Sequence, residues 1–439
     1  MSHVLLASLV LTSVARPPLA HPPLAQRPPV SPTQALDDFL KAKDITFQYQ
    51  GEPMGEGRTK IVMQSQVWQG QPWRHEILLQ MPKNATPGDT AILLITGDGP
   101  RAGDQVDLAM LSSATGMPVA MLFNIPNQPL YGMKEDDLIA HTFEKFFETK
   151  DTKWPLLFPM TKAAIRAMDA VQGIGQAQRT PINRFIVTGA SKRGWTTWLA
   201  AASRDRRIAG IAPMVFDNLN FNPQMRAQLD QWGAYSLQIQ DYTRRGLQAK
   251  MDTPLGRQLV GMVDPHSYRD RFRMPVLIVN GGNDPYWTVD ATSRYWNDLR
   301  TKKNLLVVPN VGHNLGNRVQ TVETISAFAR LTAAKQALPD NPVAEFNAKT
   351  GRLDLRWAAG DVKEIKLWRI DDLKTDFRPR TWRVVARFDG TAKSGQRLDP
   401  YVDLEPGYRS AVFAEVRYAQ GGRAYSLTSV PMLLPAKNP

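Results

Sequence analysis

Between residues 91 and 308 one pattern repeats. An apolar, β-rich run ends in a polar or glycine-rich loop, and a helix-like segment commonly follows before the next run. The runs are 91–96, 118–123, 185–188, 211–216, 275–280 and 305–308, with helical patterns at 137–149, 161–171, 192–202, 291–299 and 319–334. Near-continuous apolar strands separated by helices predict a mostly parallel sheet covered by helices on both faces. In such sheets the chemistry gathers at the carboxyl ends of the strands. The loops there are therefore where a function is to be sought.

The run 185–188 opens into Gly189-Ala190-Ser191-Lys192-Arg193-Gly194 and then into a helical pattern. A strand entering a sharp, glycine-flanked turn with serine at its tip is the nucleophile-elbow arrangement. It lifts the hydroxyl out of the sheet and points the Lys192 N–H, at the start of a helix, toward a developing oxyanion. Two further strand ends complete a constellation. Asp284 follows 275–280 within Gly281-Gly282-Asn283-Asp284, and His313 follows 305–308 within Pro309-Asn310-Val311-Gly312-His313. The order Ser191, Asp284, His313 is that of an α/β-hydrolase triad. Asp217, just past 211–216, is an alternative acid. The loop Gly97-Asp98-Gly99-Pro100 supplies the second oxyanion donor in this reading. It comes from Gly97 or Asp98, since Pro100 has no N–H. His75 lies in a strand pattern and His141 in a helical one, both structural positions, while His266 stands where it can line the cleft.

Composition excludes several other chemistries. The chain has 439 residues and no cysteine, which removes disulfides, thiolate metal sites and a cysteine nucleophile. Its six histidines form no HxH, HxxxH or HExxH spacing, so no metal is expected. The triad needs no cofactor. Net charge is +13, yet no lysine and arginine run resembles a nucleic-acid arm, and nucleic acid is not an expected partner.

Four regions are expected. Residues 1–15 read as a signal peptide, with the apolar stretch 4–14 too short to span a bilayer and small residues Ser13 and Ala15 at a cleavage site. Residues 16–36 read as a proline-rich linker, and 37–337 as the main domain. Within it, 218–273 is longer than a crossover needs and rich in aromatics and amides, which predicts a helical cap over the cleft. Asn218 at its start, with Tyr286 and Trp287 beside Asp284, are candidate substrate contacts. Residues 341–435 alternate in short segments and read as a β-sandwich of immunoglobulin or fibronectin type, a shield without a constellation of its own. No other apolar run reaches the length of a membrane span, and with such a signal a periplasmic or secreted protein is expected.

The stretches IPNQPL (125–130), EDDLIAHTFEKF (135–146), WPLLFPMTKAAIRAMDAV (154–171), VTGASKRGWTTWLAA (187–201), VDPHSYRDR (263–271), VPNVGHNL (308–315) and LWRIDDLKTDFR (367–378) resemble the PhoPQ-activated pathogenicity-related protein family. The resemblance implies an α/β-hydrolase core with a serine triad in an exported protein, some relatives being secreted regulators. One departure is GGNDPYW (281–287), where an NATGDEFF-like string is expected. The elbow is also similar to the G-x-S-R-x-G of glucuronoyl esterases, which implies that the Lys192 side chain aids the oxyanion or binds an anionic substrate. Its alternative is a solvated lysine that opposes the helix dipole. The expected activity is hydrolysis of an ester or amide in a small-molecule or polymer substrate. An ester is favoured, a carbohydrate ester among them, with a peptidase or a non-catalytic regulator as alternatives.

Overall fold

The structure is a computed structural model and describes residues 31–84, 88–316, 318–390 and 396–436. The segment 1–15 and most of 16–36 lie outside these residues. From Pro32 onward the described residues form one compact unit.

A nine-stranded sheet runs through it. Its strands are β1 (Gln48–Gly55), β2 (Arg58–Trp68), β3 (Gln71–Gln80), β4 (Thr90–Ile95), β5 (Val119–Leu122), β6 (Arg184–Ala190), β7 (Ile208–Met214), β8 (Val276–Gly281) and β9 (Lys303–Val308). The spatial order is β1-β2-β3-β5-β4-β6-β7-β8-β9, antiparallel from β1 through β5 and parallel from β5 to β9. β4 to β9 are buried along nearly their whole length, which explains their unbroken apolar sequences. The arm β1 is the reverse. It is exposed almost throughout, and QYQGEPMG shows no apolar alternation.

The covering helices are α1 (Pro32–Lys41), α2 (Ala102–Thr115), α3 (Glu135–Thr149), α4 (Leu157–Ala177) and α5 (Lys192–Ala202). α1 begins inside the stretch read as linker. Proline is well tolerated in a first helical turn, and burial of Ala35, Leu36 and Asp37 against the core holds the helix down. Between β7 and β8 lie α6 (Phe221–Trp232), α7 (Gln240–Thr243), α8 (Leu247–Lys250), α9 (Pro254–Val263) and a 3₁₀ segment Pro265–Arg271, over the region expected to be a cap. The helix expected over 291–299 is instead two short 3₁₀ turns, Ala291–Arg294 and Trp296–Asp298. There Thr292 and Tyr295 turn their hydroxyls onto the buried Asp217. A final helix, α10 (Arg318–Ala333), returns to the sheet.

The C-terminal strands are β10 (Val343–Asn347), β11 (Arg352–Arg356), β12 (Asp361–Asp372), β13 (Arg383–Asp389), β14 (Arg397–Leu398), β15 (Arg409–Gln420), β16 (Arg423–Thr428) and β17 (Met432–Leu433). They make two antiparallel sheets, β10-β11-β14 and β13-β12-β15-β16, with β17 beside β15. These sheets share a hydrophobic core with the parallel sheet, in which Leu306, Val308, Ile325 and Phe328 pack with Ile365, Val412 and Leu427.

Candidate active site

β6 delivers Ser191 at its carboxyl end with φ 59° and ψ −127°, a conformation costly for a residue with a Cβ. Two glycines make the turn possible. A Cβ on Gly189 would lie 2.8 Å from the Arg193 carbonyl oxygen, and one on Gly194 would lie 2.7 Å from that of Met214. Gly194 is therefore the residue that brings α5 close to β7. The glycine of close packing stands one place later than in G-x-S-x-G, which leaves room for Arg193 in between.

The Ser191 Oγ lies 2.8 Å from His313 Nε2, and His313 Nδ1 lies 2.8 Å from Asp284 Oδ2. Asp284 is buried, and its other oxygen accepts the Tyr286 N–H at 2.9 Å. The Tyr286 ring lies on the imidazole with centroids 4.0 Å apart and planes 27° apart. The neutral tautomer with hydrogen on Nδ1 satisfies both bonds and leaves Nε2 to accept from the serine. Asp217 makes no such bond. It accepts from Thr292 Oγ1 at 2.8 Å and Tyr295 Oη at 2.5 Å, and burial raises its pKa to about 6 against those hydrogen bonds.

Lys192 opens α5, so its N–H is among those a helix leaves free. Its side chain is not solvated. It is buried, and Nζ contacts Glu135 at 2.8 Å and Asp136 at 2.9 Å. Arg193 grips Glu135 with two bonds of 2.8 and 2.7 Å. Burial works to raise the Glu135 pKa, but the two cations win and hold it at about 2. Tyr242 from α7 donates to Asp136 at 2.9 Å, and burial lifts its phenol well above the ordinary value. The acidic run at the head of α3 is thus the counter-charge of the elbow. Three acids in a first helical turn were the available sign.

Gly97 and Asp98 line a polar hollow with Thr96, Arg101, Asp104, Glu135 and Arg193, and neither borders the cavity at Ser191. Asp98 receives the Gln128 amide at 2.9 Å. Asn218, Tyr286 and Trp287 do border that cavity, together with Ser191 and Lys192. His266 does not, and its Nε2 is 2.7 Å from Asp298. His75 is buried against Ser65 with its pKa lowered by burial to about 4, and His141 packs beside Tyr131 on α3.

A further set of contacts reaches the acid and histidine loops from the C-terminal region. The Trp382 indole N–H donates to the Gly282 carbonyl at 3.0 Å, and Asn283 Nδ2 donates to the Arg380 carbonyl at 2.7 Å. Asn310 accepts the Trp382 N–H at 2.7 Å and donates to its carbonyl at 3.0 Å. The segment 377–382 thereby ties together the loops that carry Asp284 and His313. No group of acidic and histidine side chains suited to a metal is found among the described residues. Among them, too, no helix is long and apolar enough to cross a membrane.

Strand order, elbow and covering helices define an α/β-hydrolase fold with additional antiparallel sheets at the C-terminus. The chain belongs to the PhoPQ-activated pathogenicity-related protein family, whose profile matches residues 36–378. It is 35% identical over 329 residues to autocrine proliferation repressor protein A of Dictyostelium discoideum, across 69% of this chain and 66% of that protein, just under two thirds of its length. Among solved structures it is similar to acetyl xylan esterase 1 from Thermoanaerobacterium sp. JW/SL YS485, with 14% identity, TM-score 0.44, and 64% of this chain and 87% of that one covered. It is also similar to the Pyrococcus horikoshii acylaminoacyl peptidase, with 13% identity, TM-score 0.42, and 69% and 44% covered.

Proposed function

We propose that this chain is an exported serine hydrolase that cleaves an ester through a covalent acyl-enzyme. The observation that carries the reading is the pair of 2.8 Å contacts joining Ser191, His313 and Asp284. As Ser191 Oγ attacks the carbonyl, His313 Nε2 takes its proton, and Asp284 stabilises the imidazolium that results. The oxyanion forms at the head of α5, where the Lys192 N–H and the helix dipole meet negative charge. His313 then protonates the departing alcohol, and water repeats the sequence to release the acid. The Lys192 ammonium, held by Glu135 and Asp136, acts in this scheme by fixing the elbow rather than by touching substrate. Export is supported by the apolar stretch at 4–14 and by the family, and N-terminal sequencing of protein from culture medium or periplasm tests it.

A second reading, a secreted regulator on the same scaffold, draws on the name of the Dictyostelium relative. A fluorophosphonate probe separates the two. Labelling of the wild type and loss of it in Ser191→Ala, with ester turnover at least about 10³-fold lower, supports the enzyme. Folded wild-type protein that takes up no probe favours the regulator. Aminoacyl-arylamides assayed beside aryl esters decide between peptidase and esterase.

A further inference from the structure

Beside Ser191 lies a cavity of about 100 Å³, lined by the cap helices and walled by Phe216, Phe221, Met225, Leu259, Val260 and Trp287 among other apolar side chains. We propose that it is the acyl site of the hydrolase and takes an uncharged, apolar acyl chain of about four carbons beyond the carbonyl. The inference rests on the catalytic reading above and names its substrate class.

Size gives the chain length. An engineered apolar cavity of about 150 Å³ takes up the six carbons of benzene, so 100 Å³ accommodates about four.

Charge gives the polarity. The charged residues on the wall are Lys192 and Asp136, and they pair with each other at 2.9 Å. Lys192 is further committed to Glu135, so a carboxylate on the acyl group would meet no free cation. The resemblance to glucuronoyl esterases at the elbow therefore does not extend to an anionic acyl group.

Orientation gives the identity of the occupant. His313 must hand its proton to the leaving oxygen, and it does not border the cavity, whereas Lys192, on the oxyanion side, does. The leaving alcohol accordingly lies outside, and the acyl chain lies within.

The test is a p-nitrophenyl ester series on the full-length protein, from acetyl through butanoyl and hexanoyl to decanoyl, with succinyl as a charged match for butanoyl. Each methylene that enters the cavity is expected to raise kcat/KM about fourfold, with a maximum at butanoyl to hexanoyl and a fall by decanoyl. Succinyl is expected more than about a hundredfold below butanoyl, the consequence of burying an unpaired charge. Val260→Phe, which narrows the cavity from α9, is expected to shift the optimum toward acetyl, and the wild-type series carries the test if that variant does not fold. Fluorophosphonate labelling of Ser191 with a flat chain-length profile, or with succinyl equal to butanoyl, overturns the acyl site and leaves the hydrolase standing. Absence of labelling overturns both.

Discussion

Trp382→Phe is a small change with a calculable effect, because one indole nitrogen links the C-terminal sheets to the acid loop. Trp382 is 2% exposed, donates to the Gly282 carbonyl at 3.0 Å and meets Phe413 edge-on at 4.7 Å. Phenylalanine keeps most of the ring but cannot donate. A half-buried carbonyl left unpaired costs about 1–2 kcal/mol, and the space left by the smaller ring costs about 1 kcal/mol more. The expected loss is about 2–3 kcal/mol, read as a lower urea midpoint by far-UV circular dichroism. For a chain of this size the midpoint is a safer measure than an extrapolated free energy. Because Gly282 lies two residues before Asp284, the rate of fluorophosphonate labelling at Ser191 is expected to fall as well, in native buffer where the variant remains folded. An unmoved midpoint together with an unchanged labelling rate would refute the idea that this bond supports the acid loop.

Gly194→Ala is expected to cut labelling of Ser191 by at least tenfold, about 1.4 kcal/mol, since its Cβ would lie 2.7 Å from the Met214 carbonyl and push α5 from β7; equal labelling of wild type and variant sinks that account of the elbow. Asp217 has a folded pKa of about 6, above the 3.8 of the free side chain, so its folded state binds the proton more tightly and stability falls as pH rises between those values. Asp217→Asn should flatten that part of the stability profile, measured by urea midpoints from pH 4 to 7. Asp37 is buried between Arg271 at 2.7 Å and Arg204 at 3.0 Å. Its replacement by alanine is expected to cost about 3 kcal/mol and to expose α1 to proteolysis, so unchanged protection would count against the docking argument.

What the sequence disclosed follows from burial. β4 to β9 are covered on both faces, so their apolar runs stand out, and the residues at their ends could be named in advance. β1 could not, because an exposed edge strand such as QYQGEPMG carries no periodic signal. The two acids illustrate a different limit. Asp217 and Asp284 both follow strands, and only geometry separates the one bonded to His313 from the one bonded to Thr292 and Tyr295. The ties from 377–382 were illegible for a third reason: backbone carbonyls accept in most of them, and a carbonyl has no sequence signature. Tyr286, a candidate substrate contact from its place beside Asp284, borders the cavity and also lies on the imidazole.

The displaced glycine of the elbow has an electrostatic consequence that ties several of these observations together. Putting Lys192 and Arg193 in the first turn of α5 sets two cations against the positive end of the helix dipole, where each is unfavourable. Both are nearly buried, so water cannot screen the conflict. Glu135 and Asp136 resolve it, and they do so from the first turn of α3, where negative charge is favoured by that helix's own dipole. One pair of carboxylates therefore stabilises two helix ends, and it leaves the head of α5 positive through its free N–H groups rather than through a mobile ammonium. A cation free to move would bind the substrate carbonyl and its oxyanion alike, whereas fixed N–H groups can be aimed at the charge that develops only as the bond forms.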